Sequence, residues 1–182
     1  MDAKLGTDNG GTYVGKTVVW DSQSGRELIT IPDQAASAAS WSPDSKRIAT
    51  AQARVIKIWD WKTGNLEATL VGHRKDVASL AWSPDGRQIA SASADLTTRI
   101  WDVASKTLNL SFGGHSVAVQ RVAWNPIGNR LASIDIFGTT QIYAATPSEL
   151  MRIARQRVTR PLSIDECRTY LHTERCPTIP EF

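Results

Sequence analysis

Four groups of residues carry side chains whose types and spacing suit chemistry. The first runs Gly10-Gly11-Thr12-Tyr13-Val14-Gly15-Lys16-Thr17 and fits G-x-x-x-x-G-K-[ST] through Gly10, Gly15, Lys16 and Thr17. In that pattern loop amides and a helix N-terminus hold phosphates, while Lys and Thr serve the phosphate and its Mg²⁺. The second is His73 with Asp95, a pair suited to proton transfer. The third is Cys167, His172 and Cys176, three metal-ligand types close in sequence. The fourth is Arg152, Arg155, Arg157 and Arg160, a cationic run able to meet an anionic partner.

Each group has a competing structural reading. Phosphate-loop chemistry needs an apolar strand before the loop and a helix after it. The preceding LGTDN is no apolar strand, and the following VVWDSQSGREL breaks between Ser22 and Gly25. Phosphate contact by this loop stays as the alternative reading. No nucleophile is tied to His73 and Asp95, so a structural pair is favoured. A structural zinc site wants four ligands, and no fourth Cys or His lies near, so the cysteines read as apolar packing. The arginines read as a solvated helix face with stems over apolar surface. No paired carboxylates or nucleophile motif stand out either. The expectation is a chain that is not an enzyme, with no catalytic residues, no cofactor and no metal.

Composition sets the class. The 182 residues are 41% hydrophobic and 21% charged, which suits a soluble globular domain with a real core. A net charge of +3 without a reader motif argues against nucleic acid. No apolar stretch approaches a membrane span, and the start MDAKLGTDNGG lacks a signal-peptide core. Two cysteines make no disulfide framework. The expected setting is cytoplasmic, away from membranes.

The elements that position these residues follow from a repeat. Trp-Asp recurs at Trp20-Asp21, Trp59-Asp60 and Trp101-Asp102, and a degraded copy ends at Tyr143. The intervals are 39, 42 and 42 residues. A second landmark, the Trp at 41, 82 and 124, keeps the same step. A fixed period of about 40 residues means one supersecondary unit copied in series. In the best copy Val77–Trp82, Gln88–Ser93, residues 97–103 and Thr107–Phe112 read as strands, with Ser83-Pro84-Asp85-Gly86 as a turn. Four antiparallel strands per repeat is one propeller blade.

This pattern resembles the WD-repeat (WD40) β-propeller family over roughly residues 15–145. The matching residues are Gly72-His73, Gly114-His115, the Trp-Asp pairs and the Ser-Pro-Asp turns. The resemblance implies a hydrogen-bonded tetrad of His73, Ser91, Asp95 and Trp101 in the third repeat. The second repeat departs from it, with Ile31-Pro32-Asp33 in place of Gly-His and Ala53 in place of Asp. The last keeps His115 and Ser133, with Phe137 in the Asp position and Tyr143 for Trp. The expectation is one blade locked by a tetrad and the others held by apolar packing.

The expected fold is therefore all-β. Residues 1–145 form a partial propeller of about three and a half four-stranded antiparallel blades, short of the typical four to eight. Such an arc suggests the C-terminal part of a longer propeller or, less favoured, closure by self-association. Residues 146–182 form a helical tail of two short helices. Thr146-Pro147-Ser148-Glu149 and Ser163-Ile164-Asp165-Glu166 are their starts. The tail resembles the C-terminus of large bacterial multidomain WD-repeat proteins through Arg157-Val158-Thr159-Arg160, Glu166-Cys167, Tyr170-Leu171-His172 and Cys176-Pro177. That resemblance implies a missing effector of NTPase, caspase-like or kinase-like type.

The implied function is a non-enzymatic protein-interaction or ligand-sensing scaffold in signal transduction. The alternative is a regulatory fragment of an NTP-binding signalling enzyme. Blade logic puts Arg54, Arg74, Lys75 and Phe137 on the loop rim, where they are candidate contacts for a protein or peptide partner.

Overall fold

The computed structural model describes residues 5–7, 13–34 and 36–157. The chain divides after Ala145 into two compact units. The first holds fourteen described strands in four antiparallel sheets. The first sheet is β1 (Leu5–Thr7), β2 (Tyr13–Trp20) and β3 (Glu27–Gln34). The second is β4 (Ala38–Trp41), β5 (Arg47–Gln52), β6 (Val55–Asp60) and β7 (Leu66–Val71). The third is β8 (Val77–Trp82), β9 (Gln88–Ser93), β10 (Thr98–Asp102) and β11 (Thr107–Phe112). The fourth is β12 (Val119–Trp124), β13 (Arg130–Asp135) and β14 (Thr140–Ala144). Each is a simple meander in chain order. The fold is all-β, a partial propeller of four antiparallel meander sheets. Its first sheet has three strands, because Leu5–Thr7 pairs with Tyr13–Gly15.

The turns explain why the Trp-Asp pair recurs. The Asp60 carboxylate accepts the amides of Lys62 and Thr63, both at 2.9 Å, and closes the β6–β7 turn. Asp21 does the same for Gln23 and Ser24, and Asp102 for Ser105. These amide bonds hold all three carboxyls below the usual carboxylate range. The Ser-Pro-Asp turns at the same end use Ser42 donating to Asp44 and Ser83 donating to Asp85.

The sheets stack face to face through small and branched residues. Ala49, Ala51, Ile56 and Ile58 of the second sheet meet Val77, Leu80, Trp82, Ile89 and Trp101 of the third. Ala90, Ala92 and Ile100 then meet Val119, Val122 and Leu131 of the fourth. Alternation puts odd and even residues of each strand on opposite faces, so one strand serves two interfaces. Indoles tie neighbours together. Trp82 Nε1 donates to the Ser40 carbonyl and Trp124 Nε1 to the Ala81 carbonyl, each at 3.1 Å.

The second unit contains α1 (Pro147–Arg157). Thr146 Oγ1 caps it by accepting the Glu149 amide at 3.2 Å. Glu149 receives Arg152 through two 2.8 Å bonds. The second expected helix, with Arg160, Cys167, His172 and Cys176, lies outside the described residues. No described helix is long and apolar enough to cross a membrane.

Candidate functional site

The third sheet brings His73, Ser91, Asp95 and Trp101 into one chain of hydrogen bonds. Trp101 Nε1 donates to Ser91 Oγ at 2.8 Å, and Ser91 Oγ meets His73 Nε2 at 2.7 Å. His73 Nδ1 meets the Asp95 carboxylate at 2.8 Å. The indole can only donate, so the Ser91 hydroxyl hydrogen turns to Nε2 and leaves Nδ1–H for Asp95. Every donor then has an acceptor with the imidazole neutral. Burial pushes the His73 pKa below its ordinary 6.5 and outweighs the pull of Asp95. Burial would raise Asp95, but hydrogen bonds from Thr97, the Arg74 amide and His73 bring it well below the carboxylate range. Gly72 leaves room for the indole: a Cβ there would sit 3.1 Å from Trp101.

The fourth sheet has a network that sequence spacing misplaces. Phe137 does not occupy the acidic place. Its side chain is 79% exposed, and Asp135 meets His115 Nδ1 at 3.0 Å. The connection between β13 and β14 is as long as that between β9 and β10, and the carboxylate has moved to the place of Ser93: Asp135 stands two residues after Ser133, where Asp95 stands four after Ser91. Ser133 Oγ meets His115 Nε2 at 2.7 Å. Tyr143 is a poorer substitute for Trp. Its hydroxyl donates to Gln141 at 2.6 Å and touches Ser133 at only 3.3 Å.

The second sheet also departs from pure apolar packing. Trp59 Nε1 donates to Thr50 Oγ1 at 2.9 Å, and the Thr50 hydroxyl donates to the buried Asp33 carboxylate. Lys57 Nζ reaches Asp33 at 2.9 Å and Gln52 at 2.7 Å. An acceptor carboxylate stands where the imidazole stands in the next sheet, with a lysine as its counter-charge. The signal was present: Asp33 precedes His73 by 40 residues and Thr50 precedes Ser91 by 41.

These networks anchor the loops at one end of the sheets. The Ala53 carbonyl accepts the Val77 amide at 2.8 Å, which joins the Arg54 loop to the Arg74–Lys75 loop. The Asp76 carbonyl accepts the Ala94 amide at 2.9 Å, and Ser93 Oγ donates to the Lys75 carbonyl at 3.0 Å. Arg54, Arg74 and Lys75 are exposed on this rim. Phe137 is exposed in the β13–β14 loop, whose Phe137 and Thr139 amides bond Asp135. At the opposite end an open cleft of about 300 Å³ is lined by Arg47, Gly86, Arg87, Asp102, Val103 and Ala104.

The phosphate-loop residues are placed differently from that chemistry. Gly15, Lys16 and Thr17 lie inside β2, which runs on as strand to Trp20 and pairs with β3. Neither Lys16 nor Thr17 stands at a helix N-terminus. Gly10 lies outside the described residues. Among the described residues no cluster of three or more His, Cys, Asp or Glu could hold a metal.

No curated protein matches the chain. Residues 25–60 and 64–102 match the family model described as WD domain, G-beta repeat, and domains of that family generally bind protein partners as non-catalytic scaffolds.

Proposed function

We propose that the chain is a non-enzymatic protein-interaction module that binds through the rim carrying Arg54, Arg74, Lys75 and Phe137. One observation carries this reading: three exposed cations are presented on loops that buried hydrogen-bond networks hold in place. Rigid presentation lowers the ordering cost of binding, and arginine and aromatic side chains are the commonest interface anchors. The partner this rim suits is an acidic protein segment with an apolar residue for Phe137. In the same proposal the module is the sensing part of a larger bacterial cytoplasmic signalling protein. The tail resemblance supports that, and an upstream reading frame for an NTPase, caspase-like or kinase-like domain would test it.

The binding reading is tested by differential capture from a lysate of the source cells. Wild-type chain and an Arg74→Glu/Lys75→Glu/Phe137→Ala variant are compared, with circular dichroism as the folding check. Proteins held by the wild type and lost by the folded variant support the rim. An unchanged set overturns it.

A further inference from the structure

The last sheet repeats, residue for residue, a face that is fully covered elsewhere in the same molecule. Ala90, Ala92 and Ile100 of the third sheet are each 0% exposed, because Val119, Val122 and Leu131 of the fourth lie over them. Moving 42 residues along gives Ala132, Ile134 and Ile142 on the corresponding face of the fourth sheet. Among the described strands nothing comparable covers them: Ile142 is 68% exposed, and Ala132 and Ile134 are half-buried. The Ala123 carbonyl continues the Ser40 and Ala81 series that accepts the indole of the next sheet's first strand.

The complementary face stands at the other end of the arc. Trp59 and Trp101 each point toward the preceding sheet and are 4% and 2% exposed. Trp20 holds the same place in the first sheet and is 43% exposed. Leu28 and Thr30 share that open face, since Ile29 and Ile31 alternate onto the covered one. The described strands thus carry both halves of their own sheet–sheet interface, one at each end and neither engaged by another described strand.

We infer that the Ala132–Ile134–Ile142 face is a docking surface for the Trp20 face of a second copy of this chain. The contact is head-to-tail, so two copies make it twice about one two-fold axis. In a pair of these chains the four described sheets of each copy add to eight, within the range of closed propellers. The internal interfaces name the chemistry of the occupant, which is a sheet presenting Trp and aliphatic residues. The first sheet is such a surface, and a continuous apolar face of this kind marks an association site.

The test is the solution mass of the full 182-residue chain by light scattering across a dilution series. The expected mass is about 40 kDa, twice the 19.9 kDa of one chain. Ile142→Arg and Trp20→Arg should each shift the mass to one chain, with circular dichroism unchanged. Leu28→Arg serves in place of Trp20→Arg if that variant does not fold. Mixing the two monomeric variants should restore a two-chain mass, because one good face survives on each. Ile127→Arg, exposed in the β12–β13 turn away from this face, should change nothing. A one-chain mass for the wild type at all concentrations overturns the inference, as would happen if other blades cover these faces. A two-chain mass that survives Ile142→Arg also overturns it. The rim variant tested above should keep the two-chain mass, so failure of one reading leaves the other standing.

Discussion

Trp20 and Trp101 occupy the same position in the repeat and live in different worlds. Trp101 is 2% exposed, donates to Ser91 and meets the His73 ring edge-on with centroids 5.7 Å apart. Trp20 is 43% exposed at the open end of the arc. The same contrast separates Ile100, at 0%, from Ile142, at 68%. Residue type is set by the repeat, but burial is set by the neighbour. In an array of this kind stability is a sum of unit terms and nearest-neighbour interfaces, so an end sheet lacks one interface whatever its sequence.

The largest effect that could break this comparison is truncation of the two indoles. Trp101→Ala should cost about 3–5 kcal/mol, the range for emptying a packed aromatic site. Trp20→Ala should cost no more than about 1 kcal/mol, as for a half-exposed residue outside the core. Both are read by urea denaturation in the Ile142→Arg background, so that association adds nothing. Equal losses would mean that Trp20 is packed as Trp101 is.

The repeat made much of this legible. Period and turn residues placed the third sheet's strands within a residue or so, because Ser-Pro-Asp-Gly and Trp-Asp are local turn chemistry. The polar networks were less legible, and for a physical reason. What the fold requires beside the hydroxyl is an acceptor with a counter-charge, and Asp33 with Lys57 meets that need as His73 with Asp95 does. A pattern written in residue types sees a broken tetrad where the chemistry is intact. Asp135 was missed because fixed spacing looks for the carboxylate at the Asp95 position, whereas here it stands at the place of Ser93, from which it still meets His115. The rim contacts rest on topology, since spacing alone shows an exposed charge but not which loops it joins.

The networks sharpen the contrast on its polar side. Ser91→Ala strands the Trp101 indole and His73 Nε2, both buried, and should cost about 1–3 kcal/mol. Ser133→Ala should cost less, about 1 kcal/mol, because the Tyr143 hydroxyl keeps Gln141. A double-mutant cycle would show it: Ser91 with Trp101→Phe couples strongly, Ser133 with Tyr143→Phe hardly at all. Lys57→Met leaves the Asp33 carboxylate buried without its cation. Lys57 is 23% exposed, so the loss should fall below that of a fully buried pair, at about 1–3 kcal/mol in chemical denaturation.

Acid should act on the third sheet first. His73 is held neutral, with a folded pKa below 6.5 despite Asp95 beside it and with Arg99 opposing protonation. The unfolded chain binds that proton more readily, so the stabilisation is complete above pH 6.5 and is lost as pH falls from there toward the lower folded value. The slope cannot exceed about 1.4 kcal/mol per pH unit for one proton. Asp95, with its lowered pKa, adds a further loss only below its ordinary 3.8. Melting temperature should be level between pH 7 and 8 and decline below 6.5, and His73→Gln should remove that portion of the decline. A decline of equal size in the variant would place the titrating group elsewhere.

The smallest effect has the opposite sign. Thr98 is 0% exposed, and its Oγ1 has no protein hydrogen-bond partner. Ile56 fills the same place 42 residues earlier, inside the interface between the second and third sheets. An apolar side chain therefore fits this geometry, and the hydroxyl contributes only its desolvation. Thr98→Val should stabilise the chain by about 1 kcal/mol, since a buried unsatisfied group is removed at nearly constant volume. Thr140, a further 42 residues on, is exposed at the uncovered face and touches the Gly138 carbonyl at 3.5 Å. Thr140→Val should leave the urea midpoint of the Ile142→Arg monomer unchanged. If both substitutions stabilised that monomer equally, position in the repeat and not coverage by a neighbour would govern the energetics of these faces.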